Sequence, residues 1–239
     1  MVSNRKCLAI VDMGLAVAES LMKNKYLTDT RVTGLLYLGL ALTGIFVFMF
    51  ARGQIYVNKD ALATTTNLVQ RESLARLGIA GELVLVAFQA FAAVWFYKLF
   101  RKLDSFAAGL IAVFGMVNAV AILISSAMWL SALRGALAGE PASMVFNTFG
   151  MHETIWEVAG IFFGLWLLPM GYLAAKAKMP KVLTWFLYAG GVGYVVSTLL
   201  LVLLPEQGSV ATMIKMPATV AELWMVGYLL VKPRLNVEE

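Results

Sequence analysis

Cysteine and histidine are almost missing from this sequence. Cys7 is the single thiol in 239 residues, and one thiol makes no internal disulfide, CxxC redox pair or zinc ribbon, because each needs at least two. His152 is the single histidine. It disfavours a zinc hydrolase of the multi-histidine type, leaves no metal site to assign, and excludes electron transfer between haems held by paired axial histidines. Nor is there a P-loop, a GxSxG, an HExxH or a dinucleotide fingerprint. Energy from ATP would have to come from another protein, and the cofactor is unknown.

Charge is the third shortage. Only 14% of residues are charged and 61% are hydrophobic, where soluble domains carry about 25% and under about 50%. That balance excludes a water-driven core. What the chain has instead is six apolar runs bounded by charge or by Pro and Gly: Thr33 to Phe50, Leu77 to Leu99, Phe106 to Leu130, His152 to Ala175, Val182 to Leu204 and Pro217 to Val231. Each reaches or approaches the roughly 20 residues that cross a bilayer as a helix. The expected fold is all-α: a polytopic membrane bundle of about six transmembrane helices.

A net charge of +5 invites a nucleic-acid partner, but the basic residues fall between apolar spans, where orientation in a membrane accounts for them. No nucleic acid is expected, and membrane lipids are the expected neighbours. With the amino terminus inside, thirteen of the nineteen Lys and Arg lie inside, and Arg52, Lys59, Arg71, Arg76, Arg134 and Lys215 lie outside. The charge rule therefore predicts a multi-pass protein of the cell (plasma) membrane with both termini cytoplasmic. Residues 1–31 are read as an N-terminal segment with an interfacial amphipathic helix, Leu8, Val11, Leu15, Ala18 and Met22 on one face, in preference to a cleaved signal. Residues 32–232 form the six-helix domain and 233–239 a cytoplasmic tail.

Smaller features refine this picture. The loop from Ala51 to Ala75 predicts a short helix through Leu62 and Val69, capped by Asn58 or Asp60, either as a lid on the outer mouth or as a plain surface helix. Trp129, Trp156 and Trp224 near outer ends, and Trp95 and Trp185 near inner ends, match interfacial belts. LYLGLALTG around Tyr37 resembles LYAGGVGY around Tyr188, and GEL at Glu82 resembles AEL at Glu222. The first and last hairpins could be parallel repeats of one unit.

Ionisable groups inside a membrane segment are costly and mark function when they face the bundle interior. By the apolar runs, Glu82 lies about two turns into its span and Glu222 about a turn and a half, with His152, Glu153 and Glu157 in first turns. All five would share one depth in the outer leaflet, with Arg52 and Arg76 as counter-charges. Tyr37, Gln89, Asn118, Ser125, Ser126, Tyr194, Ser197 and Thr198 form a deeper polar ring. This predicts an outward-opening cavity walled by spans two, four and six. Its ligand-binding residues are Glu82, His152, Glu153, Glu157, Glu222, Asn118 and Arg52, and no catalytic residue is assigned. In the plainer alternative the carboxylates cap helix ends and anchor them in headgroups.

The stretch GIFFGLWLLPMGYLAAKAKMPKVLTWFLYAGGVGYVVSTLLLVLLP, Gly160 to Pro205, together with GLLYLGLALTGIF, FARGQIYVNKDA and ESLARLGIAGEL, resembles a bacterial integral-membrane family known as domain of unknown function 4386. The resemblance runs from Arg31 to Val231. It implies a multi-helix domain of the bacterial inner membrane, with no established activity and no catalytic residues to carry over. A His often follows FFGL in that family, whereas this sequence has Trp166. The leading expectation is a membrane protein that binds, or transforms, a lipophilic or amphipathic small molecule. A proton- or cation-coupled transporter and a scaffold or accessory subunit are the rivals.

Overall fold

The computed structural model describes residues 28–232; the expected amphipathic helix at the amino terminus and the tail at 233–239 lie outside them. The first span is α1 (Asp29–Ile45), which continues through a π-helical stretch, Phe46–Arg52, into a last turn, Gly53–Ile55. Then come α2 (Ala61–Gln70), α3 (Glu72–Phe100), α4 (Ser105–Leu137), α5 (Ala142–Lys176) and α6 (Lys181–Leu203). A 3-10 turn, Pro205–Gln207, leads into α7 (Gly208–Ile214) and α8 (Met216–Val231). No strand occurs among the described residues. Six stretches are long and apolar enough to cross a membrane, the last of them Pro205–Val231 with a break at Lys215.

Local chemistry sets the helix starts. Thr28, Asp60 and Asp104 each turn a side-chain oxygen onto a backbone N–H of the following first turn, satisfying donors that a helix leaves free. Of the two expected caps for α2, Asp60 is the one used: its Oδ1 accepts from the Ala63 amide at 2.8 Å. The helices outrun the apolar runs that announced them. α5 begins at Ala142 rather than His152, and α3 at Glu72 rather than Leu77, because their extra turns bury Val145, Phe149 and Ala75 against α1, α2 and α4.

Consecutive spans pack on one another, α1 on α3, α3 on α4, α4 on α5, α5 on α6 and α6 on α8, and α8 returns to α1. The result is a closed up-and-down ring. The face that carries both ends of the described chain is called here the terminal face; α2 lies at the opposite face. Two apolar cores fill the ring unequally. Near the terminal face Phe96, Phe100, Trp166, Met170, Leu187 and Leu229 make a core drawn from all six spans. Near the opposite face Val47, Ile55, Leu68, Trp129, Leu133 and Phe149 make a second core that draws on α1 to α5 alone. On the remaining side, between α1, α5, α6 and α8, the ring is hollow.

At this level the lid alternative falls and the tryptophan belt is corrected. α2 is no lid: it packs on α4 and α5, is strapped by Val57 N–H to Thr64 Oγ1 (3.0 Å) and Asn67 Nδ2 to the Ile55 carbonyl (3.1 Å), and contributes nothing to the hollow's lining. Trp129 is no interfacial anchor, being fully buried against Phe149 and His152. Trp185 and Trp224 are exposed, but Trp224 lies about 10 Å from the terminal face, counted from Val231, and not at the outer end where it was expected.

Candidate functional site

The hollow is a cavity of about 540 Å³ to which all six spans contribute. Spans α3 and α4 supply only Leu85 and Ile122; the polar wall comes from α1, α5, α6 and the start of α8, so the expected wall of spans two, four and six is corrected. On α5 the lining residues Glu153, Trp156, Glu157, Gly160 and Phe163 follow the i, i+3, i+4, i+7 spacing that puts side chains on one helix face. The interior is not the fully packed bundle that would have favoured the scaffold reading.

Behind the α5 wall runs a chain of charged groups. Arg52, carried by the π-helical stretch, makes a two-pronged ion pair with Glu153. Glu153 Oε1 lies 3.0 Å from His152 Nδ1, and His152 Nε2 lies 2.7 Å from Glu82 Oε1, which also accepts from Trp156 Nε1 at 3.1 Å. Glu82 and His152 are wholly buried. Each imidazole–carboxylate contact needs one hydrogen, and a neutral imidazole supplies one. The trio Glu82, His152 and Glu153 therefore holds two hydrogens, as an imidazolium between carboxylates or a neutral ring beside one carboxylic acid. Either way its formal charge is −1, and Arg52 makes the set neutral. Buried charges are tolerated when paired in this way.

Glu222 stands apart. Tyr37 donates its hydroxyl to Glu222 Oε1 at 2.8 Å. With Val231 as the end of α8, Glu222 lies about 13 Å from the terminal face at 1.5 Å per residue, whereas Glu82 lies about 27 Å from the end of α3. The expectation of a single depth is thus corrected. It failed because depth was counted from the apolar runs, and α3 and α5 begin five and ten residues earlier than those runs. For the same reason Glu82, His152 and Glu153 sit about three turns and Glu157 about four turns inside their helices, too deep to cap them.

Four of the seven expected site residues, Arg52, Glu153, Glu157 and Glu222, line the cavity together. Glu82 and His152 reach it through Glu153. Asn118 does not: it is buried away from the lining, and neither its oxygen nor its nitrogen has a hydrogen-bond partner. Arg76 pairs with Glu72 one turn away and points outward. Of the deeper ring, Tyr37, Tyr194 and Thr198 line the cavity, while Gln89 and Ser125 donate to backbone carbonyls of neighbouring helices and Ser126 to the Ile122 carbonyl of its own. Sequence reasoning passed over Trp156, read as an anchor, and Lys215, read only as an outer-side charge. The α5 face spacing was a signal for Trp156. Lys215, at the break between α7 and α8, had none. The hairpins that look alike in sequence carry unlike chemistry, since Glu222 has Tyr37 but Glu82 has His152 and Trp156.

The cavity rim is apolar. α1 and α8 are in contact near the terminal face, where Gly34 meets Leu229, and part further along. There Ile45, Met49 and Leu223 line the cavity and are also 51%, 77% and 53% exposed. Counted from Asp29, Ile45 and Met49 lie about 24 and 30 Å along α1, within the hydrocarbon depth of a bilayer.

Fold and hollow together define a multi-pass membrane protein with an internal polar cavity. A family model described as a domain of unknown function, DUF4386, matches residues 32–232, and the chain belongs to that family. Trp166, where the family resemblance led to a His, is buried against Tyr37 and Phe96, behind the cavity lining. No curated protein and no solved structure matches the chain.

Proposed function

We propose that the protein binds a lipophilic or amphipathic small molecule that reaches the cavity from the bilayer between α1 and α8. The observation that carries this reading is an apolar rim at hydrocarbon depth in front of a charged, hydroxyl-bearing interior. Such a site accepts a molecule with a polar head and an apolar body. Glu157, Glu222, Tyr194 and Thr198 would meet the head; Leu40, Phe48, Leu201 and Val226 would meet the body. With the terminal face in the cytoplasm, as the charge count favours, the mouth opens toward the outer leaflet of a bacterial cell membrane.

The test is photolabelling by an alkyl amphiphile that carries a diazirine. Labels should concentrate on Ile45, Met49 and Leu223 and be competed by excess unlabelled amphiphile. Gly44→Phe should abolish them, because a Cβ at Gly44 meets nothing nearer than Leu85 Cδ1 at 3.8 Å and the ring would fill the space. Even labelling of every lipid-facing helix, unchanged in that variant, would sink the reading.

Proton-coupled transport is favoured by one further observation, the Glu82–His152–Glu153 trio whose two hydrogens have two arrangements of equal charge. Proton relays in membranes are built from such Glu and His chains. Solute-driven acidification inside sealed proteoliposomes, absent in Glu82→Gln, would support it. No proton movement with any solute that binds would retire it.

A further inference from the structure

With every cavity carboxylate ionised, the cavity's charges do not balance, and the imbalance points to a ligand class. Arg52, Glu153, His152 and Glu82 form a neutral set. That leaves two carboxylates, Glu157 and Glu222, facing one cation, Lys215. Lys215 stands at the break before α8 with its ammonium 5.9 Å from the Tyr194 ring centre, at the same end of the cavity as Arg52. Glu222 lies seven residues further along the chain, about 10 Å deeper. Its partner is the Tyr37 hydroxyl, which satisfies an oxygen but carries no charge.

An aromatic wall runs from the depth of this carboxylate toward the mouth, Phe163 and Tyr194 about 6 Å further from the terminal face than Glu222 and Phe48 and Trp156 about 16 Å further. Phe48 meets Trp156 edge-on at 4.5 Å, Trp156 stacks on Phe163 at 5.9 Å, and Phe163 stacks on Tyr194 at 5.9 Å. All four line the cavity, as does Tyr37. An aromatic wall beside a carboxylate attracts an organic cation twice, through the ring faces and through the formal charge. It attracts anions by neither route. An inorganic cation fits poorly, because the lining oxygens are spread along the cavity and among the described residues no three His, Cys, Asp or Glu side chains gather as a metal site would need.

We infer that the amphiphile bound here is an organic cation, an ammonium or phosphonium-like centre on an apolar body, with its charge between Glu222 and the Phe163 and Tyr194 rings. This assignment rests on the proposed amphiphile site and narrows it. Ammonium of this kind comes either from a free lipophilic amine or from a lipid headgroup.

Calorimetric titration of the full chain in uncharged maltoside micelles tests the charge, with tetraphenylphosphonium and tetraphenylborate as ions of matched shape and opposite sign. Saturable binding of the phosphonium with no binding of the borate is expected. Glu222→Gln should weaken it by about tenfold or more, since the amide keeps the Tyr37 hydrogen bond and removes the charge. Glu157→Gln, whose side chain faces open cavity, should weaken it less and guards against a folding defect. Equal binding of the two ions, or unchanged phosphonium binding in Glu222→Gln, would overturn the assignment. If neither ion binds but the diazirine amphiphile still labels the rim, the cation class falls and the amphiphile site stands; if nothing labels, both fall. Displacement of bound phosphonium by lysophosphatidylethanolamine but not by lysophosphatidylglycerol would support the cation class with a headgroup as source, and displacement by neither would support a free organic cation.

Discussion

The two ends of one helix pair, α1 and α8, behave in opposite ways. Toward the terminal face they are in contact: a Cβ on Gly34 would come within 3.0 Å of Leu229 Cβ; α8 packs as closely on its other neighbour, α6, where a Cβ on Gly190 would come within 2.5 Å of Ala218 Cα. Toward the other face they part, and the space between holds charged groups instead of packed methyls. In a bilayer no hydrophobic force draws helices together, because lipid tails are as apolar as leucine. Close approach therefore needs small residues at the contact, as at the terminal face. Where Ile45, Phe48 and Met49 replace glycine on α1, separation is tolerated and lipid or ligand can take the space.

The hollow half consequently depends on polar contacts for its shape, and His152 is where they meet. His152→Ala should give the largest effect, a loss of about 3–5 kcal/mol, because it leaves Glu82 buried with Trp156 as its remaining donor. Thermal unfolding in detergent, followed by tryptophan fluorescence, would measure it. A variant as stable as the parent would mean that apolar packing of α3 on α5 shapes the hollow and the charged chain does not.

The packed half should respond to volume rather than charge. Gly190→Ala forces its methyl against the Ala218 backbone and should cost about 1–3 kcal/mol. Gly44→Ala, in the hollow half, meets nothing nearer than Leu85 Cδ1 at 3.8 Å and should stabilise by up to about 1 kcal/mol through helix propensity. The comparison breaks if both substitutions shift the unfolding midpoint in the same direction.

Hydropathy made the number of spans legible, and charge placement pointed to Glu82, His152, Glu153, Glu157, Glu222 and Arg52 as groups of interest. Helix ends were not legible from the same signal. Ser143, Asn147 and Thr148 lower the apolarity of the first turns of α5, yet Val145 and Phe149 between them are buried, and no apolar-run count sees that. Depth followed the helix ends, so the Tyr37–Glu222 pair was set level with a carboxylate about 14 Å nearer the other face. Pairing across the bundle was equally hidden. Nothing local to Trp156 tells whether its indole faces headgroups or a buried carboxylate on α3, because that depends on which helices the ring makes neighbours.

The smallest effect belongs to the packed half's own charged contact, at the turn between α3 and α4. Asp104 caps α4 through the Ala107 amide at 3.1 Å, and its second oxygen accepts from Tyr172 Oη at 3.1 Å and Lys176 Nζ at 3.3 Å. The backbone hydrogen bond from Ala107, ahead of those from Lys176 and Tyr172, holds this carboxyl below its ordinary value against a smaller opposing effect of burial. A carboxyl lowered by folding contributes stability above its unfolded pKa, about 3.9, and loses it as pH falls through the lowered folded value. The unfolding midpoint should therefore be insensitive to Asp104 between pH 7 and pH 5, about one unit or more above that window. It should decline below pH 4, where protonation of the carboxyl begins to remove the charged contact. Asp104→Asn keeps an acceptor for the Ala107 amide and cannot titrate, so its midpoint should fall less steeply than the parent's across that acid range. An identical acid slope in parent and variant would show that the tie between the start of α4 and the end of α5 rests on packing of Phe100, Ala108 and Leu173 rather than on charge.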